Sequence, residues 1–189
     1  WPHAPVYGPA NEHIASVTKP VRGGDGVELP WLGVGFEVMD VPGHTEGHVA
    51  YYAAGVLFCG DTLFAGGCGR VFSGTHEQLY RSLQSIASLP ADPMIYCAHE
   101  YTLANLGFAK GVEPESEALQ ARQQAASAQR SRGEPTVPSL LQLELETNPF
   151  LRSGQPTVIA AAERYAGRRL TAGAEVFTAI RNWKDREYD

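Results

Sequence analysis

Cysteine is scarce in this sequence, and no two cysteines have the CxxC spacing. The three that are present, Cys59, Cys68 and Cys97, are odd in number, which argues against a disulfide framework and favours a reducing compartment. We therefore expect a cytoplasmic protein. Cys59 and Cys97 each end an apolar run, where a small buried side chain is the expected role.

Long apolar runs and an excess of positive charge are missing as well. No stretch is long and apolar enough to span a membrane, and the first residues do not have the layout of a signal peptide. Lys and Arg number 15 against 21 Asp and Glu, which gives a formal net charge of −6. This balance argues against nucleic-acid binding, so we expect neither a membrane nor a nucleic acid as a partner.

The composition that remains is that of a folded chain rich in short strands. The 189 residues, 43% of them hydrophobic, suffice for one domain with an appendage. Because the sequence starts at Trp1 rather than at a methionine, we expect a fragment, a processed chain or an incomplete start. Short apolar runs bounded by Gly, Pro and Asp predict strands. These runs are Ile14–Val17, Trp31–Val34, Phe36–Val41, Val49–Ala53, Val56–Cys59 and Met94–Cys97.

One helix is predicted between the last two of these runs. Thr75 as N-cap and Gln78 three residues later resemble a capping box, and apolar residues continue at helical spacing until Pro90. A helix between two strands predicts a β-α-β crossover.

The second part of the chain has the composition of helices. Alanine, glutamine, glutamate and arginine dominate without β-branched residues in its first stretch, and helices are predicted over residues 115–132, 157–166 and 174–188. We therefore divide the chain into a β-rich domain, residues 1–110, and a helical domain, residues 111–189.

Three of the strand-like runs end in a tight turn that carries a potential metal ligand, namely His44, Asp61 and His99. A glycine or an alanine precedes each, which leaves room for a metal. His nitrogen and Asp oxygen suit Zn, and Fe or Mn nearly as well. Asp61 is the candidate to span two ions, because a carboxylate can bind one with each oxygen. His48 is expected to support the loop. Taken singly, such residues are more often hydrogen-bonded loop histidines or turn-forming aspartates, so the hypothesis depends on the threefold placement.

Arg70 is a candidate for binding an anionic ligand, and two further cations lie on one helix face. The glycine-rich segment 66–70 lacks the GK[ST] ending of a P-loop, so we expect it to be a flexible wall that presents Arg70. Arg181 and Lys184 lie three residues apart on the last predicted helix and share a face. The alternative, which the spacing alone favours, is that Arg181, Lys184 and Arg186 only solvate the helix end and complement its dipole.

Several segments together resemble the metallo-β-lactamase superfamily and, within it, the glyoxalase II (hydroxyacylglutathione hydrolase) family. The turn at 42–48 is shared across the superfamily, whereas segments 60–64, 67–70 and 134–139 are more specific to glyoxalase II. Segments 133–139 and 148–150 resemble the helical substrate-binding domain of that family. The segments are 42–48, 60–64, 67–70, 97–102, 133–139 and 148–150.

This resemblance implies an α+β chain with an αββα metallo-β-lactamase fold, truncated at its N-terminus, followed by the helical domain. It implies two divalent metal ions, most often Zn with Fe or Mn tolerated. His44 and His99 would bind separate ions, and Asp61 would bridge them and hold the nucleophilic hydroxide. The implied reaction cleaves S-2-hydroxyacylglutathione, such as S-D-lactoylglutathione, to glutathione and a 2-hydroxy acid such as D-lactate. That is the second step of methylglyoxal detoxification.

The resemblance also implies which residues bind the substrate. The expected partner is a small-molecule glutathione thioester, and we expect a monomer. Some relatives carry Tyr at the position of Phe72, so a hydroxyl contact is expected to be absent there. The implied substrate-binding residues are Arg70, Phe72, Tyr101, Arg181 and Lys184.

The sequence departs from the family in one respect, since it does not contain the Thr-His-x-His-x-Asp-His motif that carries the other metal ligands. We therefore expect these 189 residues alone to bind metal weakly and to hydrolyse thioesters poorly. Two alternatives follow. One is a non-catalytic truncated fragment that binds metal or glutathione without turnover. The other is a different superfamily enzyme, such as a persulfide dioxygenase.

Overall fold

The structure, a computed structural model, describes residues 3–53, 55–90 and 93–188, so Trp1 lies outside the described residues. The strands are β1 Tyr7–Pro9, β2 Lys19–Val21, β3 Gly26–Leu29, β4 Val34–Asp40, β5 Val49–Ala53, β6 Val56–Gly60, β7 Leu63–Phe64, β8 Gly67–Cys68, β9 Met94–Cys97 and β10 Ser139–Leu140. The helices are α1 His76–Ala87, α2 Thr102–Val112, α3 Glu117–Ser131, α4 Leu141–Thr147, α5 Pro156–Ala166 and α6 Ala174–Glu187. A mixed sheet followed by a run of helices makes the fold α+β.

The main sheet has six strands in the order β10-β9-β6-β5-β4-β3. β6 and β9 are parallel, and the other neighbouring pairs are antiparallel. Because β4 and β6 are each antiparallel to β5, they run in the same direction, and β9 follows β6. The carboxyl ends of β4, β6 and β9 therefore lie at one edge of the sheet, and this positions the site.

Helix α1 begins as the capping box predicts. The Thr75 hydroxyl accepts a hydrogen bond from the Gln78 amide, and the Gln78 side chain accepts one from the Thr75 amide. The apolar face of α1, with Leu79, Leu83 and Ile86, is fully buried. The helix lies between the parallel strands β6 and β9, so the predicted crossover is confirmed.

The main core lies between one face of the large sheet and the helices. Leu57 and Ile95 from the sheet join Phe108, Phe177 and Ile180 from α2 and α6 in this cluster. Burying such side chains contributes about 1.5–3 kcal/mol each. No helix in the described ranges is both long and apolar enough to cross a membrane.

Two predicted strands are wrong. Residues 14–17 form a turn closed by a hydrogen bond from the Val17 amide to the Ile14 carbonyl. Residues 31–33 form the turn between β3 and β4, where Gly33 has a φ of 65° and Trp31 is 70% exposed. The second run follows Pro30 and contains Gly33, and it lies where the antiparallel strands β3 and β4 reverse direction, so it folds as a turn whatever its hydrophobicity. The first run belongs to the connection between the parallel strands β1 and β2.

The predicted helices of the second part are confirmed as α3, α5 and α6. Two helices were not predicted. One is α4, which lies in the proline-bounded stretch. The other is α2, whose buried face includes the polar Thr102 and Asn105 and whose exposed face includes Leu103, so its apolar periodicity is weak. α2 crosses residue 110, and the domain boundary there stays a prediction.

Candidate metal centre and substrate cleft

The three potential metal ligands meet at the shared edge of the main sheet. His44 follows β4, Asp61 follows β6 and His99 follows β9. His44 Nε2 lies 3.7 Å from Asp61 Oδ2, and His99 Nε2 lies 3.4 Å from Asp61 Oδ1. Each imidazole therefore faces a different oxygen of the same carboxylate.

These separations are compatible with ligands that share a metal ion. Two ligands at 2.0–2.1 Å from a tetrahedral zinc lie about 3.3 Å apart. Within the described ranges, no three His, Cys, Asp or Glu side chains close around a single point as a complete metal-binding group. The arrangement is instead two pairs that share Asp61. It fits two ions with a bridging carboxylate, and it supplies two of the roughly three protein ligands that each ion needs.

Backbone contacts fix the orientation of His44. Its Nδ1 atom lies 2.8 Å from the carbonyl oxygen of Arg70. A carbonyl only accepts hydrogen bonds, so Nδ1 carries a proton, and in a neutral imidazole the lone pair of Nε2 then faces Asp61. The Phe72 ring packs edge-on against the imidazole, with 4.9 Å between ring centroids.

His48 contacts the backbone of the metal-ligand turn. The Asp61 amide donates a hydrogen bond to His48 Nε2 at 3.1 Å, so this nitrogen is an acceptor. Burial, and then the proximity of His44, lower the pKa of His48, which favours the neutral form that accepting requires. Gly60 is needed here, because its φ is 54° and a Cβ atom would lie 2.5 Å from His48 Nε2.

The glycine-rich segment 66–70 is not the flexible wall that we expected. Its first residues belong to the buried hairpin β7–β8, with Gly66 at the turn. A Cβ atom at Gly69 would lie 2.0 Å from the Asp61 carbonyl oxygen. Glycine therefore serves the close packing of this hairpin against the turn that carries Asp61, and Arg70 follows directly from it.

A cleft of about 440 Å³ opens at this edge of the sheet. The predicted site residues line this cleft, except for His48, which contacts the backbone amide of Asp61. The Tyr101 ring stacks on His99, with 5.1 Å between centroids and 21° between planes. The predicted residues in the cleft are His44, Asp61, Arg70, Phe72, His99, Tyr101, Arg181 and Lys184.

The cations of the cleft are held by protein contacts. Arg181, 1% exposed, donates hydrogen bonds to the Cys68 carbonyl at 3.1 Å and to Asp185 at 2.8 Å. The same oxygen of Asp185 lies 3.7 Å from Arg70 Nε. Lys184 is also buried. The alternative that Arg181 and Lys184 only solvate the helix end is therefore wrong.

Sequence reasoning missed two residues that hold these cations. Asn105 accepts a hydrogen bond from Lys184 Nζ at 2.7 Å and donates one to the Ala65 carbonyl at 3.0 Å, which fixes its amide orientation. Asp185 lies four residues after Arg181, a spacing that signals an ion pair on a helix. Asn105 lies on α2, which had no sequence signal.

Comparison with known proteins extends over the whole chain. The profile of the metallo-beta-lactamase superfamily matches residues 2–99, and the profile described as hydroxyacylglutathione hydrolase C-terminus matches residues 100–187. A hydroxyacylglutathione hydrolase of Nitrosomonas eutropha is 50% identical over 96% of this chain and 71% of its own length. One of Alkalilimnicola ehrlichii is 55% identical over the same shares.

Solved structures agree on the fold. The crystal structure of ETHE1 from Myxococcus xanthus has a TM-score of 0.57 and 24% identity, and this chain covers 64% of it with 94% of its own residues. A metallo-beta-lactamase structure from Staphylococcus aureus has a TM-score of 0.56 and 19% identity, over 95% of this chain and 49% of that one. At these identities the likeness shows the fold alone, which is the metallo-β-lactamase fold. Because both profiles match and relatives are 50–55% identical over nearly the whole chain, the chain belongs to the hydroxyacylglutathione hydrolase family of the metallo-β-lactamase superfamily.

Proposed function

We propose that this protein hydrolyses S-2-hydroxyacylglutathione thioesters, such as S-D-lactoylglutathione, to glutathione and a 2-hydroxy acid such as D-lactate. This is the second step of methylglyoxal detoxification. The observation that carries the proposal is the Asp61 carboxylate, each of whose oxygens faces a different histidine. It lies in a cleft that also holds three cations. Family membership over nearly the whole chain supports the same reaction.

His44, Asp61 and His99 would hold the metal ions. Two divalent ions, Zn with Fe or Mn tolerated, would supply water acidified towards neutral pH and would polarise the thioester carbonyl. The Arg70 carbonyl keeps the His44 lone pair directed at the site. His48 accepts a hydrogen bond from the Asp61 amide. It therefore holds the turn that carries the carboxylate shared by the two ions.

The cations would bind the two carboxylates of glutathione. Arg181 and Lys184 are desolvated and hydrogen-bonded in place, so little side-chain entropy remains to be lost on binding. The side chain of Arg70 is 48% exposed and offers a planar fork of donors. Tyr101 and Phe72 would provide apolar walls next to the two histidines.

The leaving group needs little help from the protein. A thiol has a pKa of roughly 8.5, so the glutathione thiolate leaves without a strong general acid. The second candidate, a different superfamily enzyme, is less well supported, because the profile over residues 100–187 is that of hydroxyacylglutathione hydrolase. Weak metal binding by these 189 residues alone, a monomeric state and a cytoplasmic location stay predictions.

The test is to measure bound metal and thioester hydrolysis together in the natural protein. In the Asp61→Asn variant we expect loss of binuclear loading and of most S-D-lactoylglutathione hydrolysis, because an amide has only one ligating oxygen. Asp25→Asn is the matched control, since Asp25 is exposed and lies on a turn outside the cleft. Unchanged metal content in Asp61→Asn would refute the bridging role. An unmodified protein that is loaded with metal but does not hydrolyse the thioester would refute the proposed reaction.

A further inference from the structure

The segment between β1 and β2 packs against the loop that carries His44 and His48. Glu12 lies in this segment, more than 30 residues before the loop of residues 43–48. Its carboxylate is partly buried against that loop. Glu12 was not singled out by any motif, and it does not line the cleft.

Glu12 holds the loop by two hydrogen bonds to one oxygen. Its Oε1 atom accepts one from the Thr45 hydroxyl and one from the Gly47 amide, the latter at 3.1 Å. Charge-assisted hydrogen bonds are about twice as strong as neutral ones. The fit is close, since a Cβ atom at Gly47 would lie 2.6 Å from Glu12 Cγ.

The same loop has other anchors. The His44 ring contacts the Arg70 carbonyl, and His48 accepts from the Asp61 amide, so these two act through the histidine rings. At the backbone, the Glu46 amide donates to the Ser73 hydroxyl at 3.2 Å and the Phe72 amide donates to the His44 carbonyl at 2.9 Å. The Glu12 contacts add a charged acceptor on Thr45 and Gly47, the residues between the two histidines, and so restrain the backbone from which both rings project.

We propose that Glu12 is a positioning residue that fixes the loop of residues 43–48 and thereby holds His44 towards Asp61. The inference rests on the proposed function, because it holds that the two hydrogen bonds accepted by Glu12 support metal binding at His44 and Asp61. Removing residues that orient metal ligands typically weakens metal affinity about 10- to 100-fold. Glu12 acts one contact further away, so about tenfold is expected.

Two variants and a matched control test the role of the carboxylate in the natural protein. Glu12→Ala removes both hydrogen bonds, whereas Glu12→Gln keeps an oxygen that can accept both and removes only the charge. Glu46→Ala and Glu46→Gln make the same changes on the same loop at an exposed side chain. The readouts are Zn²⁺ and Co²⁺ affinity by competition with a chelator and hydrogen exchange of the Gly47 amide.

We expect Glu12→Ala to weaken metal affinity about tenfold and to speed exchange of the Gly47 amide by about tenfold or more. Glu12→Gln should recover most of both losses. The Glu46 variants should stay within about twofold of the unmodified protein. Equal metal affinity in Glu12→Ala and Glu46→Ala would overturn the positioning role. A protein that binds no metal at all would refute the proposed function instead. In that case, an unchanged rate of hydrogen exchange of the Gly47 amide in Glu12→Ala would still show that Glu12 does not fix the loop.

Discussion

Glu144 is a fully buried carboxylate that receives four hydrogen bonds. Its Oε1 atom accepts from Arg122 and from the Ser139 hydroxyl. Its Oε2 atom accepts from the Gly66 amide at 2.8 Å and from the Asn148 side chain at 3.1 Å. The Glu144 side chain is 0% exposed and that of Arg122 is 6% exposed. The carboxylate thus joins α3 and α4 to the hairpin that runs from Asp61 towards Arg70.

Replacing Glu144 by glutamine should therefore be strongly destabilising. A glutamine amide has one acceptor oxygen and one NH₂ group, so in either orientation the NH₂ group faces donors. The charge of Arg122 is also left buried without its counter-charge. Removing one partner of a buried ion pair costs about 3–5 kcal/mol, which for a chain of this length lowers Tm by roughly 6–20 °C.

Urea denaturation followed by circular dichroism measures this loss as a change in midpoint at constant m. Glu146→Gln is the control, because Glu146 lies on the same helix but is exposed, and it should change stability by less than about 0.5 kcal/mol. Adding Arg122→Met to Glu144→Gln should recover part of the loss, because no unpaired charge then remains buried. A loss below about 1 kcal/mol in Glu144→Gln would refute this reasoning.

Two further predictions concern other parts of the fold. Gly60→Ala should lower the free energy of unfolding by about 1–3 kcal/mol, because its φ is 54° and its Cβ would displace His48. Urea denaturation measures this, with Gly107→Ala as a control at an open helical position; equal stability of the two variants would contradict it. For Glu113, burial raises the pKa, but the hydrogen bonds from Arg152 and Thr157 and the charge of Arg152 together outweigh it, so the pKa is lowered from 4.5. Its contribution to stability is thus present above about pH 4.5 and is lost as the pH falls through the lowered value. Denaturation between pH 3 and 6 should show a shallower acid loss for Glu113→Gln, and an unchanged slope would count against the ion pair.

Much of the local structure could be predicted because its signals are contained in a few neighbouring residues. The capping box at Thr75 and Gln78 marked the start of α1, and the apolar spacing after it gave the buried face. The runs that became β4, β6 and β9 were recognised with the turns that follow them. Trp31 shows the limit of such signals, since its run is apolar but is exposed in a turn.

The site could be predicted only in part, for a similar reason. His44, Asp61 and His99 carry a recognisable placement at strand ends. Glu12 and Asn105 have no local signal, because their roles depend on partners 33 or more residues away in sequence. Such pairs leave no local signal in a single sequence, because their members meet only when the chain is folded.

By itself, the sequence determined the chemistry that is available: imidazoles and a carboxylate at strand ends, cations on the last helix, glycines in the turns, and membership of a family. Only the tertiary structure decided how these groups meet. Strand direction brought three ligands to one edge, and each oxygen of Asp61 came to face a different histidine. Burial turned Arg181 from a helix-end charge into a fixed cation of the cleft. The physical reason is that hydrogen bonds and charges act over a few ångströms in space, whereas their partners are separated by tens of residues along the chain.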